Sequence, residues 1–312
     1  MMRRSPDSLL VAVWPGIGQV GLTAGYYLMS KLRMHEEKPP RTMDLFELDH
    51  VDVDQGLAHV SPVPEDHLFA SARGAARARL NVMIGESMPV AHGPEYCRRI
   101  LDRAQKLGVG QVITFSAVAS NSHPLDPSKV LGVATEAGGL ESLRRHGIEI
   151  LEAGQILGMN GLILAAAAER RIPAVCLMGV MPALASAIPY PKASHAVLSA
   201  FARLVEVDID LHELEEYGRM ISQKLNSGLE KLRKALQVDE EEPVEEIPAE
   251  DEPADPEERP LGAEERMRIE VLFRQAAVDP AKAFELKREL DRLSAFKEYE
   301  DRFLDLFRSR RD

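Results

Sequence analysis

A single stretch divides this chain of 312 residues more sharply than any other feature. From Asp239 to Glu258 it reads DEEEPVEEIPAEDEPADPEE, twelve carboxylates with no Lys or Arg. Prolines 243, 248, 253 and 256 interrupt it and Pro260 follows it. Like-charge repulsion and missing backbone donors forbid a packed element there, so the expected organisation is a folded part before it and another after it. We therefore expect an α/β domain over 1–237, an acidic Pro-rich linker over 238–262 and a helical hairpin over 263–312. The stretch 239–258 also carries the whole net charge of −12, because the other 38 acidic residues are matched by 38 Lys and Arg. A chain without a basic excess lacks what phosphate neutralisation needs, which argues against nucleic-acid binding.

Two distant cysteines, Cys97 and Cys176, offer neither a disulfide framework nor a CxxC knuckle, and suit a reducing cytoplasm. The apolar runs Leu9–Val13 and Leu162–Ala168 are too short for a membrane span or a signal-peptide core. A cytoplasmic protein with no membrane partner is expected.

Between residues 8 and 237, short apolar runs alternate with segments of helical period. Strands are expected at Leu9–Val13, Met43–Leu48, Val51–Val60, Leu68–Ala72, Asn81–Gly85, Gln111–Phe115, Val130–Thr135 and Pro173–Met178. Helices are expected at Val20–Leu32, Pro94–Leu107, Leu140–His146, Met159–Arg170 and Ala193–Val205. That alternation points to a mostly parallel sheet covered on both faces. Steps of three and four through Leu211, Leu214, Tyr217, Ile221, Leu225, Leu229, Leu232 and Leu236 predict a long amphipathic helix. Beyond the linker, Ala263–Ala277 reads as one helix. Asp279-Pro280 reads as the start of a second that runs to about Phe307. The apolar face of that hairpin is available to its own core, to a neighbouring subunit or to a client.

Gly16-Ile17-Gly18-Gln19-Val20-Gly21 matches GxGxxG between a strand and a helix, where backbone N–H groups cradle a pyrophosphate in dinucleotide-binding folds. Such a fold also needs a ribose-binding acid about 20 residues on. Only Asp44 is available, and it falls inside an expected strand. The alternative role for these glycines is close packing of helix on strand. The nine histidines form no HExxH-type pair, so no metal site is expected. His123 stands in the loop Ser120-Asn121-Ser122-His123-Pro124 at a strand end, and Asn160 in Gly158-Met159-Asn160-Gly161 is a candidate helix cap. A candidate pocket is therefore Gly16, Gly18, Gln19, Gly21, Ser120, Asn121, His123, Asn160 and Gly161. No catalytic constellation is visible: there is no GxSxG elbow, Walker A sequence or carboxylate pair.

Trp14-Pro15-Gly16-Ile17-Gly18-Gln19-Val20-Gly21 resembles the "PGIG-x-VG" opening of the proteasome assembly chaperone family, in its archaeal and bacterial branch. Gly158–Gly161 is similar to the family's start of an Ala-rich helix. Cys176-Leu177-Met178-Gly179-Val180-Met181-Pro182 resembles its "LLGE-x-P" strand end, with Val180 where an acid is usual. Ile188-Pro189-Tyr190-Pro191-Lys192-Ala193 matches "x-PYP-x-A", and Val207–Leu211 resembles the lead into the family's long helix. Ser122-His123-Pro124 is similar to the "PHTRP" loop of the actinobacterial type, without its arginine. The motifs keep the family's order over residues 8–237.

The resemblance implies a three-layer α/β/α sandwich like that of nucleoside phosphorylases. It implies a homo-oligomer, with a trimer as one form, acting as a non-catalytic chaperone or adaptor with no cofactor and with proteasome subunits among its partners. Some archaeal relatives end in a hydrophobic–Tyr–any tail, where this sequence reads Ser309-Arg310-Arg311-Asp312. Docking by such a tail is not implied. Two other readings stand beside this one: a nucleoside- or nucleotide-binding hydrolase or phosphorylase using the strand-end loops, and NAD-type binding at Gly16–Gly21.

Overall fold

A computed structural model describes residues 7–47, 51–72, 78–238, 261–279 and 282–307. Of the expected linker, residues 239–260 lie outside the described residues, as do Pro280 and the final five residues.

The strands are β1 (Ser8–Val13), β2 (His35–Glu37), β3 (Val51–Asp54), β4 (Leu57–Val60), β5 (Asp66–Ala70), β6 (Arg79–Gly85), β7 (Gln111–Ser120), β8 (Val130–Ala134), β9 (Glu149–Ile150) and β10 (Ala174–Pro182). The helices are α1 (Val20–Lys31), α2 (Gly93–Lys106), α3 (Ala137–Arg145), α4 (Gly158–Glu169), α5 (Pro191–Val205), α6 (His212–Val238), α7 (Ala263–Val278), α8 (Ala283–Arg292) and α9 (Phe296–Asp305). Eight strands form one sheet in the order β2-β5-β6-β1-β7-β10-β8-β9, while β3 and β4 pair only with each other. The central strands β6, β1, β7 and β10 run parallel, and β5 and β8 flank them antiparallel. The expected α/β class with a mostly parallel sheet is what forms.

Strand β1 is buried at all six residues, as a run of apolar side chains without alternation requires in a sheet covered on both sides. Side chains on one face (Leu10, Ala12, Met83, Cys176) pack with α2 and α4 through Tyr96, Ile100, Met159 and Ile163. On the other, Val11, Val13, Ile113 and Leu177 pack with α1 and α5. Helix α1 is buried from Val20 to Ser30 without a solvent face. The C-terminal helices account for this, since they cover the side of α1 turned away from the sheet. The Tyr27 ring meets Phe284 at 4.3 Å, and Tyr26 meets Phe296 and Phe303 at 5.1 and 5.6 Å. Tyr26 also donates to Glu300 at 2.7 Å.

Three expectations need correction. Met43–Leu48 is not a strand: Met43–Leu45 is a 3-10 turn closed by the Leu45 amide on the Thr42 carbonyl. The apolar alternation that suggested a strand there serves instead to seat Leu45 and Phe46 on the α2 side of the core. The helix expected from residue 279 to about Phe307 begins at Ala283 and is broken into α8 and α9. Ser294 adopts a left-handed φ of 53°, and the Ala295 amide turns back to the Leu290 carbonyl. The C-terminal part therefore holds three helices where a two-helix hairpin was expected.

Candidate interaction surface at the carboxyl edge of the sheet

The loops singled out in the sequence follow the carboxyl ends of β1 and β7 and open α4, so they gather at one edge of the sheet. The Gly16–Gly21 turn is fixed from within. The Gly18 amide donates to the Ser186 carbonyl at 2.9 Å, the Gln19 amide to the Gly16 carbonyl at 2.9 Å, and the Val20 amide to the Ile17 carbonyl. The Gly18 carbonyl accepts from the Tyr190 amide at 2.8 Å. Three amides of the turn that a pyrophosphate would need, those of Gly18, Gln19 and Val20, are thus already bonded inside the chain. The glycines are required by contact. Gly18 has φ +59°, and a Cβ there would stand 2.5 Å from the Met181 sulfur; at Gly21 it would stand 2.7 Å from the Phe115 carbonyl oxygen. Gly16 has open space around it. Asp44, the only acid at the right spacing, is exposed in its 3-10 turn and bonded to Arg99 at 2.6 Å, which holds its carboxyl below the usual range.

The β7 loop joins this turn through Met181 and Tyr190. The Ser120 hydroxyl donates to the Met181 carbonyl at 3.4 Å and to the Ser122 hydroxyl at 2.9 Å. Both Tyr190, through its hydroxyl at 3.2 Å, and Lys192, through its ammonium at 2.8 Å, donate to the Pro124 carbonyl. His123 is satisfied within its own turn, its Nδ1 accepting from the Leu125 amide and its amide bonded to Asp126. Asn121 is exposed. Asn160 belongs to the opposite layer. It sits inside the first turn of α4 and accepts from the Thr114 hydroxyl, so it is not the helix cap. A Cβ on Gly161 would strike the Ile156 carbonyl, another close approach of backbone to backbone. Gly16–Gly21 and Ser120–His123 are therefore brought together, and Asn160 and Gly161 lie across the sheet from them.

Beside the exposed polar Gln19, Asn121, His123 and Asp126, the edge offers apolar side chains to solvent. Ile17, Met88, Val90, Leu125, Leu157, Leu184 and Ile188 are all exposed, each on a loop at a parallel-strand carboxyl end or at the start of α4. Gly158 lies 3.4 Å, measured from a built Cβ, from the Met88 sulfur, which ties the α4 start to the β6 loop. Exposed apolar rims of this kind occur at contact surfaces and at ligand-binding grooves alike. Leu125 continues it into an open cleft of about 670 Å³ between α5 and α6, lined also by Lys192, His195, His212, Glu215 and Arg219. Burial lowers the affinity of Lys192 and His195 for their protons, opposed at Lys192 by Asp126 and at His195 by Glu215. Sequence reasoning left this cleft out. Its one legible signal was the Pro-Tyr-Pro segment ahead of Lys192.

Beneath the edge lies a buried polar cluster that periodicity cannot reveal. The Trp14 indole donates to the Tyr96 oxygen at 3.0 Å, and the Tyr96 and Thr42 hydroxyls both donate to the Asp66 carboxylate. Burial raises the Asp66 carboxyl to about 6 despite those two bonds. Every member has a partner, so the cluster pins the Thr42 turn and α2 to the sheet.

The family model of the PAC2 family matches residues 10–227. The chain belongs to the PAC2 family. An uncharacterized protein of Methanocaldococcus jannaschii is 27% identical over 240 residues, covering 74% of this chain and 88% of its own. Among solved structures, PbaB of Pyrococcus furiosus, an archaeal proteasome activator, superposes with a TM-score of 0.57 at 21% identity, over 72% of this chain and 95% of its own. The Mycobacterium tuberculosis proteasome-assembly chaperone homologue Rv2125 gives 0.60 at 19% identity, over 70% and 94%. The PAC2 match ends at residue 227, so α7–α9 lie outside it. Among the described residues no helix is long and apolar enough to cross a membrane.

Proposed function

We propose that this PAC2 protein is a non-catalytic chaperone or adaptor that works as a homo-oligomer and takes proteasome subunits as partners. Family membership and the likeness to proteasome-related relatives support a chaperone-like role. The observation that carries the finer reading is the carboxyl edge itself. Where an enzyme of this layered kind would present convergent polar groups, the Gly18, Gln19 and Val20 amides and the Ser120 and Tyr190 hydroxyls are bonded internally, and Ile17, Leu125, Leu184 and Ile188 stand exposed beside the polar Gln19, Asn121 and His123. Self-association is supported by α6, whose outer half carries Leu225, Leu229 and Leu232 at steps of four and three. Leu232 is exposed.

The test is copurification of the full chain from its host, with light scattering for mass and identification of the chains that co-elute. We expect an oligomer carrying proteasome subunits, and loss of those subunits from the Leu184→Asp, Ile188→Asp variant. A protein recovered alone, or a variant that retains its partners, would refute the assignment of this edge.

A further inference from the structure

Helix α6 outruns the body it packs on. Its apolar stripe runs through Leu214, Tyr217, Ile221 and Leu225, all seated on the core. Leu229 and Leu232 continue the same stripe at steps of four and three but belong to neither core cluster, and Leu232 is 58% exposed. A Cβ built on Gly228 would meet nothing within 4 Å. The overhang therefore points Leu229 and Leu232 at whatever lies beneath it. Charge is segregated along the same rod. From Glu206 to Glu216 there are six carboxylates and no Lys or Arg, whereas from Lys224 to Lys234 there are four Lys and Arg and one acid, Glu230. Glu215 and Glu216 border the α5–α6 cleft, which runs along α6 from His212 to Gln223 and is lined also by Leu125 and Ala196. The two cations of that cleft are engaged, Arg219 with Glu216 at 3.3 Å and Lys192 with the Pro124 carbonyl at 2.8 Å.

We propose that the α6 overhang of one copy lies in the α5–α6 cleft of a second copy, and reciprocally, the two α6 helices running antiparallel about a two-fold axis near Gln223. A crossing there sets Glu215 level with Lys231, and the cleft span His212–Gln223 level with the overhang Gln223–Lys234, so groove and rod agree in length at about 16 Å each. Overhang laid on overhang would oppose four cations to four, whereas this arrangement lays cations beside acids. Any other partner must bring a basic rod for the cleft and an acidic groove for the overhang together. A two-fold copy brings both, because one helix carries both. Carried to Val238, the overhang is a strip about 22 Å by 11 Å, and two overhangs on two clefts bury about 1,000 Å² in total, the lower limit of a specific contact. The contact rests on the homo-oligomer reading above and gives it a face.

The experiment compares the full-length protein with Glu215→Lys and Lys231→Glu variants by light scattering across a dilution series, with circular dichroism to check the fold. Both positions are exposed, so both variants should fold normally. Each alone should raise the dissociation constant about tenfold, because like charges then meet at both ends of the contact. An equimolar mixture of the two variants should associate as the wild type does, since each pair across the axis is again opposite in sign. An oligomeric wild type with both variants unchanged, or a mixture no tighter than either variant alone, would overturn this contact and leave the homo-oligomer reading standing. A monomeric wild type would overturn both. Loss of a copurifying protein from either variant at unchanged oligomer mass would assign the cleft and overhang to a client and overturn the proposal.

Discussion

Gly21→Ala and Gly16→Ala, made separately, should behave oppositely although they alter the same glycine motif. At Gly21 a Cβ would stand 2.7 Å from the Phe115 carbonyl oxygen, which is β7 backbone and cannot rotate away. Helix α1 must lift from the sheet by a few tenths of an ångström, and overpacking of this kind costs about 1–3 kcal/mol. The better helix propensity of alanine returns up to about 1 kcal/mol. The net expectation is a loss of about 1–2 kcal/mol, which lowers the melting temperature by about 2–8 °C in a domain of this size. Gly16 has φ −172°, an extended conformation open to any residue, and nothing within 4 Å, so its replacement should be neutral. Differential scanning calorimetry with and without added nucleotides gives the readout. Equal stability of Gly21→Ala and wild type would refute the packing role. Stabilisation of the wild type by a nucleotide, lost in Gly16→Ala, would return the loop to phosphate binding.

Two further outcomes follow from the core. The Asp66 carboxyl, raised to about 6 by burial from an ordinary value of 3.8, binds its proton more tightly folded than unfolded. Its contribution is full below the unfolded value and lost as pH rises through about 6, a change of about 3 kcal/mol. Urea unfolding of Asp66→Asn should gain on the wild type by up to that amount between pH 4 and 7, and a constant difference would contradict the assignment. Phe284, 3% exposed with its ring against Tyr27 and Tyr217, anchors α8. Phe284→Ala should cost about 3–5 kcal/mol at that docking site. Hydrogen exchange should then rise in α8 and α9 and along α1, while unchanged protection would show that the helices hold elsewhere.

Much of the central domain is legible in the sequence because it rests on local period. The run Leu9–Val13, the Ala-rich Met159–Arg170 and the Pro-Tyr-Pro start of α5 are each explained by a few neighbouring residues. The misread segments depend on contacts distant in sequence. Met43–Leu45 turns because Thr42 is bonded to Asp66, 24 residues away, and the α8–α9 break falls at Ser294 with neither glycine nor proline to announce it. The glycine motif and both of its candidate roles are visible in the sequence, but the choice between them is not. GxGxxG reads alike whether its amides face a phosphate or the Ser186 carbonyl. Exposure of Leu184 and Ile188 is likewise a property of the assembled edge, since in sequence they resemble any apolar residues after a buried strand.

The most direct measurement is binding of the purified full-length protein to the proteasome core particle of its own host, followed by surface-immobilised titration with wild type and the Leu184→Asp, Ile188→Asp variant in parallel. An adaptor acting through the carboxyl edge predicts saturable binding by the wild-type oligomer and its loss in the variant. Absence of wild-type binding, or equal binding by both, would contradict it.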